Sequence, residues 1–392
     1  MADFLKFVFI TFQILVGYQL IIPVLLLVIW LFKKERYKDI TYNDEPELDF
    51  ALIVTAYQHT NMLSKVVKSI QNLEYQNYHV YIVADNCPKS TLDLVGEKVS
   101  VLMPQVVLGS NIKSHLYAFE HFLRPHDCVT IIDSDNLVDT CYLRFMNSTF
   151  KKGFKAVQGL RAPKNLDTTI ACLDAARDIY YHFYDGKVLF QVGSSATLSG
   201  SGMAFNTILY RKFLGAVNVH GAGFDKVLQS WLVKNKYRVA FDERAVVYDE
   251  KTSKTDQLVQ QRSRWINSWF KYAPLGFTIF WKGIKTFGLN DVLFGVILLR
   301  PPLFIFLAMS IVFMLLNLFL GNVTTLITWL ICFIIFVVTF FVPLLINDTD
   351  ARILASLKNI PKFVFYQFVS LLNVRRANKI SVSTKHDREE QL

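Results

Sequence analysis

The chain has 392 residues, enough for two ordinary domains, but 52% are hydrophobic, 14% aromatic and only 19% charged, a balance that excludes a wholly soluble protein. Its net charge of +10 comes from 42 basic and 32 acidic residues, and many of the basic ones flank apolar segments, so the excess reads as membrane topology and not as a nucleic-acid surface. Cys87, Cys128, Cys141, Cys172 and Cys332 form neither C-x-x-C pairs nor an even-numbered framework, and the eight His show no zinc-ligand spacing, which excludes a disulfide scaffold and a structural zinc site and suits a reduced, cytosolic catalytic region.

Phe7–Phe32 is an uncharged apolar run, long enough at about 1.5 Å per residue to cross a hydrocarbon core. A cleaved signal peptide fits it poorly, because it is too long and is followed by Lys33, Lys34, Glu35 and Arg36 where a small-residue cleavage site would stand. Residues 1–44 therefore form a membrane helix with a basic flank. The region from 45 to 264 alternates short β-rich runs with helical spacing. Phe50-Ala-Leu-Ile-Val-Thr55, Val80-Tyr-Ile-Val-Ala84 and Cys128-Val-Thr-Ile-Ile132 are predicted strands, and such alternation implies a Rossmann-like α/β domain with a parallel or mixed sheet covered by helices. Ligands of these folds bind beyond the carboxyl ends of the strands.

Residues 265–290 mix Trp269, Phe270, Tyr272, Phe277, Phe280 and Trp281 with Lys271, Lys282 and Lys285, as interfacial helices do when aromatic rings face lipid and ammonium groups face headgroups. Within 291–350 two more spans are predicted, Leu303–Leu320 and Val323–Ile346, joined by a turn at Gly321-Asn322 and preceded by Pro301-Pro302, which starts or kinks the first of them. Residues 351–392 form an amphipathic segment, Ala351–Val374, with a fourth span left open, and a tail. Lys33, Lys34, Arg36 and Lys38 follow the first span, Lys282, Lys285 and Arg300 precede the second, Arg352, Lys358, Arg375 and Arg376 follow the third, and the Gly321-Asn322 turn carries none. The positive-inside rule then places the N-terminus outside and both the large middle region and the C-terminus in the cytoplasm, of a plasma or inner membrane. The Asn322-Val-Thr324 sequon lies too near the membrane to carry weight.

Polar groups end each predicted strand: Thr55 and Tyr57, then Asp85-Asn-Cys87, then Asp133-Ser-Asp135. Carboxylates at i and i+2 past a buried strand can hold a hard cation and leave its other positions to diphosphate oxygens. Asp is also a common turn residue after strands, so a lone D-x-D decides nothing. Gly200-Ser-Gly202 is either a plain turn or backbone passing close to a ligand. Arg161-Ala-Pro-Lys164 reads as solvated surface, and Asp249 reads equally as a structural or a functional carboxylate.

Taken in order, these pieces resemble the membrane-integrated family 2 glycosyltransferases, the branch of cellulose, hyaluronan and poly-N-acetylglucosamine synthases, with ceramide glucosyltransferase related. The matching segments are Val54-Thr-Ala-Tyr57, Ile82-Val-Ala-Asp-Asn-Cys87, Asp133-Ser-Asp135, Leu198-Ser-Gly-Ser-Gly-Met-Ala-Phe205, Phe224-Asp225, Val247-Tyr-Asp-Glu-Lys251 and Gln261-Arg-Ser-Arg-Trp265. The most specific is Gln-x-x-Arg-Trp, downstream of an isolated Asp and just before apolar spans. The resemblance implies a GT-A fold and inversion at the anomeric carbon. It implies that Asp225 is the general base, that Asp135 with Asp133 binds Mg²⁺ or Mn²⁺, and that Arg264 helps to neutralise the departing diphosphate. Gln261 and Trp265 would close over diphosphate and acceptor, Asp85 would bind the uracil edge, Thr55 and Tyr57 would line the base pocket, and Lys113 would lie near the nucleotide. Gly202 belongs to the glycine segment expected beside the substrates. One departure stands out: the family's Glu before the base is Phe224 here, and Asp225 is preferred to Asp242 or Asp249 because Gly221-Ala-Gly223 precedes it.

The expected partners are a UDP-sugar, a bilayer, and either a growing glycan or a lipid as acceptor. Processive synthesis of a β-linked polysaccharide is the first reading, and transfer of a single sugar to a lipid is the second. Three spans are few for a secretion pore within one chain, which favours the lipid or a homo-oligomer. A non-catalytic membrane scaffold is the third reading. It has no need of Asp85, Asp133, Asp135, Asp225, Arg264 and Trp265 together.

Overall fold

The computed structural model describes residues 2–33, 46–88, 96–217 and 222–374. The basic residues Lys34, Arg36, Lys38, Arg375 and Arg376, and Gly221, lie outside the described residues. The helix α1 (Ala2–Lys33) leads into eight strands: β1 (Phe50–Tyr57), β2 (Tyr78–Asp85), β3 (Val99–Leu102), β4 (Cys128–Asp133), β5 (Leu137–Val138), β6 (Ala156–Pro163), β7 (Met203–Asn206) and β8 (Ala240–Asp249). They form one sheet in the order β3-β2-β1-β4-β7-β6-β8-β5. β3, β2, β1 and β4 are parallel, whereas β7 runs antiparallel to both β4 and β6. The result is a mixed α/β sheet of GT-A-like fold.

The strands form where β-branched and aromatic residues run together, and the central ones are buried almost throughout because helices cover both faces. One of these helices, α2 (Leu63–Gln71), buries Leu63, Val66, Val67 and Ile70, the three-and-four spacing of a single face. The others in this half are α3 (Asn111–Glu120), α4 (Tyr142–Lys151), α5 (Thr169–Tyr181), the short α6 (Leu189–Gln191), α7 (Thr207–Ala216) and α8 (Phe224–Lys234). Between α5 and α6, His182–Val188 winds as a π-helix, a local over-widening that often marks a functional position.

The second half is helical: α9 (Thr255–Thr286), α10 (Leu289–Leu299), α11 (Leu303–Phe319), α12 (Val323–Ile346), α13 (Ala351–Ser356) and α14 (Ile360–Leu372). α1 and α12 are each long and apolar enough to cross a membrane. Leu303–Leu320, expected as a span of its own, is instead the second limb of a pair with α10, bent by 74° where Arg300-Pro301-Pro302 interrupts the helix. Proline supplies no N–H and clashes with the preceding turn, which accounts for the break. Over 351–374, where a fourth span is left open, the longest α-helix has 13 residues, roughly 20 Å at 1.5 Å per residue against a core of about 30 Å. In the apolar bundle, Gln13 on α1 accepts hydrogen bonds from Asn317 on α11 and Trp329 on α12, both 2.7 Å, so one buried amide oxygen pins three helices.

The interfacial helices expected over 265–290 and the end of the catalytic region at 264 meet within α9, a single helix of 32 residues. Its second half packs closely on α10. A Cβ on Gly283 would fall 2.6 Å from the Val292 backbone nitrogen, and one on Gly295 would fall 2.7 Å from that of Phe280.

Candidate active site

Strand register gathers the polar strand ends. Thr55 on β1 pairs with Asp133 on β4, and Tyr57 pairs with Asp85 on β2, so groups far apart in sequence share one edge of the sheet. That edge opens into a cavity of about 790 Å³, within the range of ligand sites. Thr55, Tyr57, Asp85, Asp133, Asp135, Asp225, Gln261, Arg264 and Trp265 all line it. Two expected residues do not. Lys113 is exposed on α3 while its neighbours Ser110, Asn111 and Ser114 face the cavity, because helical spacing turns position 113 outward. Gly202 lies behind the wall. Its oxygen accepts from the Gly159 amide at 2.8 Å, and a Cβ there would meet Val247 at 2.7 Å, so it serves close strand packing, while Gly200 lines the cavity.

At the end of β2, the buried Asp85 carboxylate accepts the backbone N–H of Leu108 at 2.9 Å and of Gly109 at 2.8 Å, which fixes the loop before α3. The Asp133 amide donates to Ser201 Oγ at 3.1 Å, which holds the turn carrying Asp133 and Asp135 against the Gly200-Ser-Gly202 segment. Among the described residues no cluster of three or more His, Cys, Asp or Glu could enclose a metal. A paired-carboxylate turn facing a cavity of this size fits a hard cation that takes its remaining oxygens from a bound diphosphate.

Gly223 adopts the left-handed φ of 95° and caps α8, and a Cβ there would stand 2.6 Å from Tyr272. Phe224 is buried, edge-on to His115 with ring centres 5.5 Å apart, yet still borders the cavity, and Asp225 lines it too, 4.0 Å from Lys226 Nζ. The residue that replaces the family's Glu thus joins the core to the cavity wall. Of the alternative carboxylates, Asp242 is held by Arg244 and Thr149, and Asp249 by Arg161, Lys251 and Asn136.

Arg161 corrects the solvated-surface expectation. It pairs with Asp249 at 2.7 Å and donates to the Ser199 carbonyl, and Lys164 pairs with Glu250 at 3.2 Å. Lys251, with 1% of its side chain exposed, bridges Asp249 at 2.8 Å and Asp178 at 2.6 Å. Burial alone would raise the Asp249 carboxyl, but Arg161 and Lys251 hold it well below the usual carboxylate range. Asp178 pairs with Arg177, and Asp174 with both Arg177 and Arg262. These two guanidinium groups sit 4.7 and 4.0 Å from the Trp265 ring centre, within cation–π range. A buried chain of alternating charge therefore runs from the turn after β4, where Asn136 donates to Asp249, to Trp265. Burial pushes the Arg262 guanidinium down to about 10, still charged at neutral pH, and lowers His182, also on the wall, to about 4, so that it is a neutral imidazole there. Removing Lys251 should leave two buried carboxylates short of a partner. Lys251→Met is expected to cost about 3–5 kcal/mol, read as a lower unfolding midpoint in detergent, and a loss under about 1 kcal/mol would mean that the pairs are worth no more than surface ones.

Trp269 and Tyr272, expected to face lipid, line the cavity next to Trp265, whereas Phe270, Phe277 and Trp281 are exposed on α9. The α5 charges were missed in the sequence. Asp174, Arg177 and Asp178 show the i, i+3, i+4 spacing of an ordinary solvated helix face, and only tertiary placement turns that face inward.

A mixed sheet whose parallel strand ends carry a D-x-D turn, facing an isolated carboxylate and a Gln-x-x-Arg-Trp helix across one cavity, defines a glycosyltransferase. Residues 46–268, more than half of the chain, match the family model described as glycosyltransferase-like family 2. The chain belongs to that family. The fold is similar to that of the mannosyltransferase PcManGT from Pyrobaculum calidifontis in complex with GDP-Man and Mn²⁺, with a TM-score of 0.53 and 13% identity over 92% of this chain and 98% of that one. Residues 1–349 of S. aureus TarS match at a TM-score of 0.41 and 15% identity over 84% of this chain and 90% of that one. No curated protein matches the chain.

Proposed function

We propose that this glycosyltransferase moves a sugar, with inversion, from a nucleoside diphosphate sugar to an acceptor hydroxyl at a membrane. The observation that carries the reading is that the Asp133-Ser-Asp135 turn, Asp225 and the Gln261–Trp265 segment face a common volume. Thr55, Tyr57 and Asp85 hold the base, for which uracil is expected. Asp133 and Asp135 hold Mg²⁺ or Mn²⁺, which when bound supplies positive charge to the leaving diphosphate, and the Mn²⁺ and GDP-Man in PcManGT support both metal and donor class. Arg264 adds fixed positive charge on the same side. Asp225 takes the proton from the acceptor oxygen as it attacks, and Trp265 offers an apolar face to a sugar ring.

The flat faces of Trp265, Trp269 and Tyr272 beside Asp225 support a glycan acceptor, extended processively as a β-linked polymer. The apolar wall where the cavity reaches the membrane helices supports a lipid instead. Incubating purified protein with Mn²⁺ and a panel of UDP-sugars and GDP-mannose, followed by product analysis, tests the proposal, and a protein that turns over no donor would be the scaffold of the third reading. The Lys and Arg asymmetry further supports a cytoplasmic catalytic region. A cysteine in place of Asn322 is expected to react with an impermeant reagent added outside cells, and one in place of Lys89, outside the described residues, to be protected. The reverse pattern would separate the catalytic region from cytosolic nucleotide sugars.

A further inference from the structure

Where the cavity leaves the sheet it changes character. Its wall there comes from Leu303, Phe304 and Leu307 on α11, Phe340 on α12, and Phe363 and Val364 on α14, six apolar side chains from three helices, with Gln367 on α14 as the polar neighbour. It starts at the 74° break between α10 and α11, where Arg300, Pro301 and Pro302 also face the cavity. Irregular backbone at membrane depth persists where it lines a cavity or is buried in protein, so the break marks a site more than a defect. The Arg300 charge is neutralised by Asp185 on the π-helix, which leaves the bay without a free counter-charge of its own. A glycan strand seated here would find only Gln367 and the unpaired outer nitrogen of Arg300 to bond, and its other hydroxyls would press against Leu, Phe and Val at a cost of about 1–3 kcal/mol for each one stranded. A hydrocarbon chain has no hydroxyls to strand, and in passing from a bilayer to the bay it would keep surroundings as apolar as those it left.

We infer that the acceptor is a lipid: its hydrocarbon chain occupies the bay between α11, α12 and α14, and its hydroxyl-bearing head reaches Asp225 beside Trp265. This rests on the glycosyl-transfer reading. The bay is continuous with the proposed site of transfer and is walled by helices of the membrane bundle, so its occupant is argued to be the substrate and not a bystander.

The test uses the full chain, stripped of lipid in amphipol, with Mn²⁺, radiolabelled UDP-glucose, UDP-N-acetylglucosamine, UDP-galactose and GDP-mannose, with and without a total lipid extract of the cells that produce the protein. The expected product forms only with the extract, partitions into butanol and carries one added sugar. Leu307→Trp and Val364→Trp, which fill the bay, should lower that product at least tenfold while calorimetric binding of UDP and GDP with Mn²⁺ stays within about twofold. Label appearing without lipid in an ethanol-insoluble polymer would overturn the inference, and so would bay-filled variants that form lipid product at the parental rate. Absence of nucleotide binding and of turnover with every donor would instead overturn the glycosyl-transfer reading beneath it.

Discussion

Asp135→Asn is expected to abolish sugar transfer and to remove most of the Mn²⁺-dependent part of nucleotide binding while leaving the fold intact. β4 ends at Asp133, so Asp135 lies beyond the ladder and its side chain faces the cavity; its replacement disturbs no strand pairing. Asn keeps the size and one acceptor oxygen but loses the charge that a hard cation selects. Among the described residues no third carboxylate, His or Cys stands close enough to make a metal-binding group with the pair, so little can compensate. Isothermal titration with UDP in the presence of Mn²⁺ and in excess EDTA, beside initial rates, separates the outcomes. Parental rates in excess EDTA would reject the metal outright.

Asp225→Asn should divide differently between binding and turnover. Asp225 sits on the first turn of α8, in the wall of the cavity that the D-x-D turn also lines, and is proposed to touch neither metal nor nucleotide. UDP affinity is expected to stay within a few-fold of the parent while turnover falls by roughly 10²–10⁴, the range for loss of a general base. Trp265→Ala should weaken binding and turnover together. It removes the apolar face proposed to hold the acceptor's head, and it leaves the guanidinium groups of Arg177 and Arg262 without the face they stack on. If Asp225→Asn turns over normally, the base lies elsewhere, and the burial of Phe224 against His115 then marks an acceptor site rebuilt around another group.

How far the sequence discloses this arrangement depends on how local each signal is. β1, β2 and β4 are legible because a buried parallel strand demands a run such as Leu52, Ile53 and Val54 and must end in residues that tolerate a turn. The residues at those ends follow at once, since register brings Tyr57 beside Asp85 and Thr55 beside Asp133. The antiparallel insertion of β7 between β4 and β6 is not legible, because pairing partners so far apart in sequence leave no periodicity. Arg161, Asp174, Arg177 and Asp178 mislead for a related reason: charge looks like solvation until a partner from another element, here Asp249, Lys251 or Arg262, is brought against it. α10 escaped notice because eleven residues are too few for a span, and its bend against α11 depends on what Pro301-Pro302 can pack upon. Gly202 and Lys113 were both one or two positions from residues that do face the cavity, an offset that only side-chain direction resolves.

The continuity of α9 bears on how this enzyme can be taken apart. Gln261 and Trp265 sit near one end of a helix whose other end is clasped against α10 through Gly283 and Gly295, and Leu303, Phe304 and Phe363 complete the same cavity from beyond it. Severing the chain anywhere between sheet and bundle would discard a wall of the reaction chamber and strand Asp174 and Arg177 at a raw surface. Chimeras that exchange the sheet-bearing half with another family member should therefore fail unless the exchange extends through α14. The unit of inheritance for this activity is the whole assembly of sheet, α9 and the apolar helices beyond it, with no seam along which it divides.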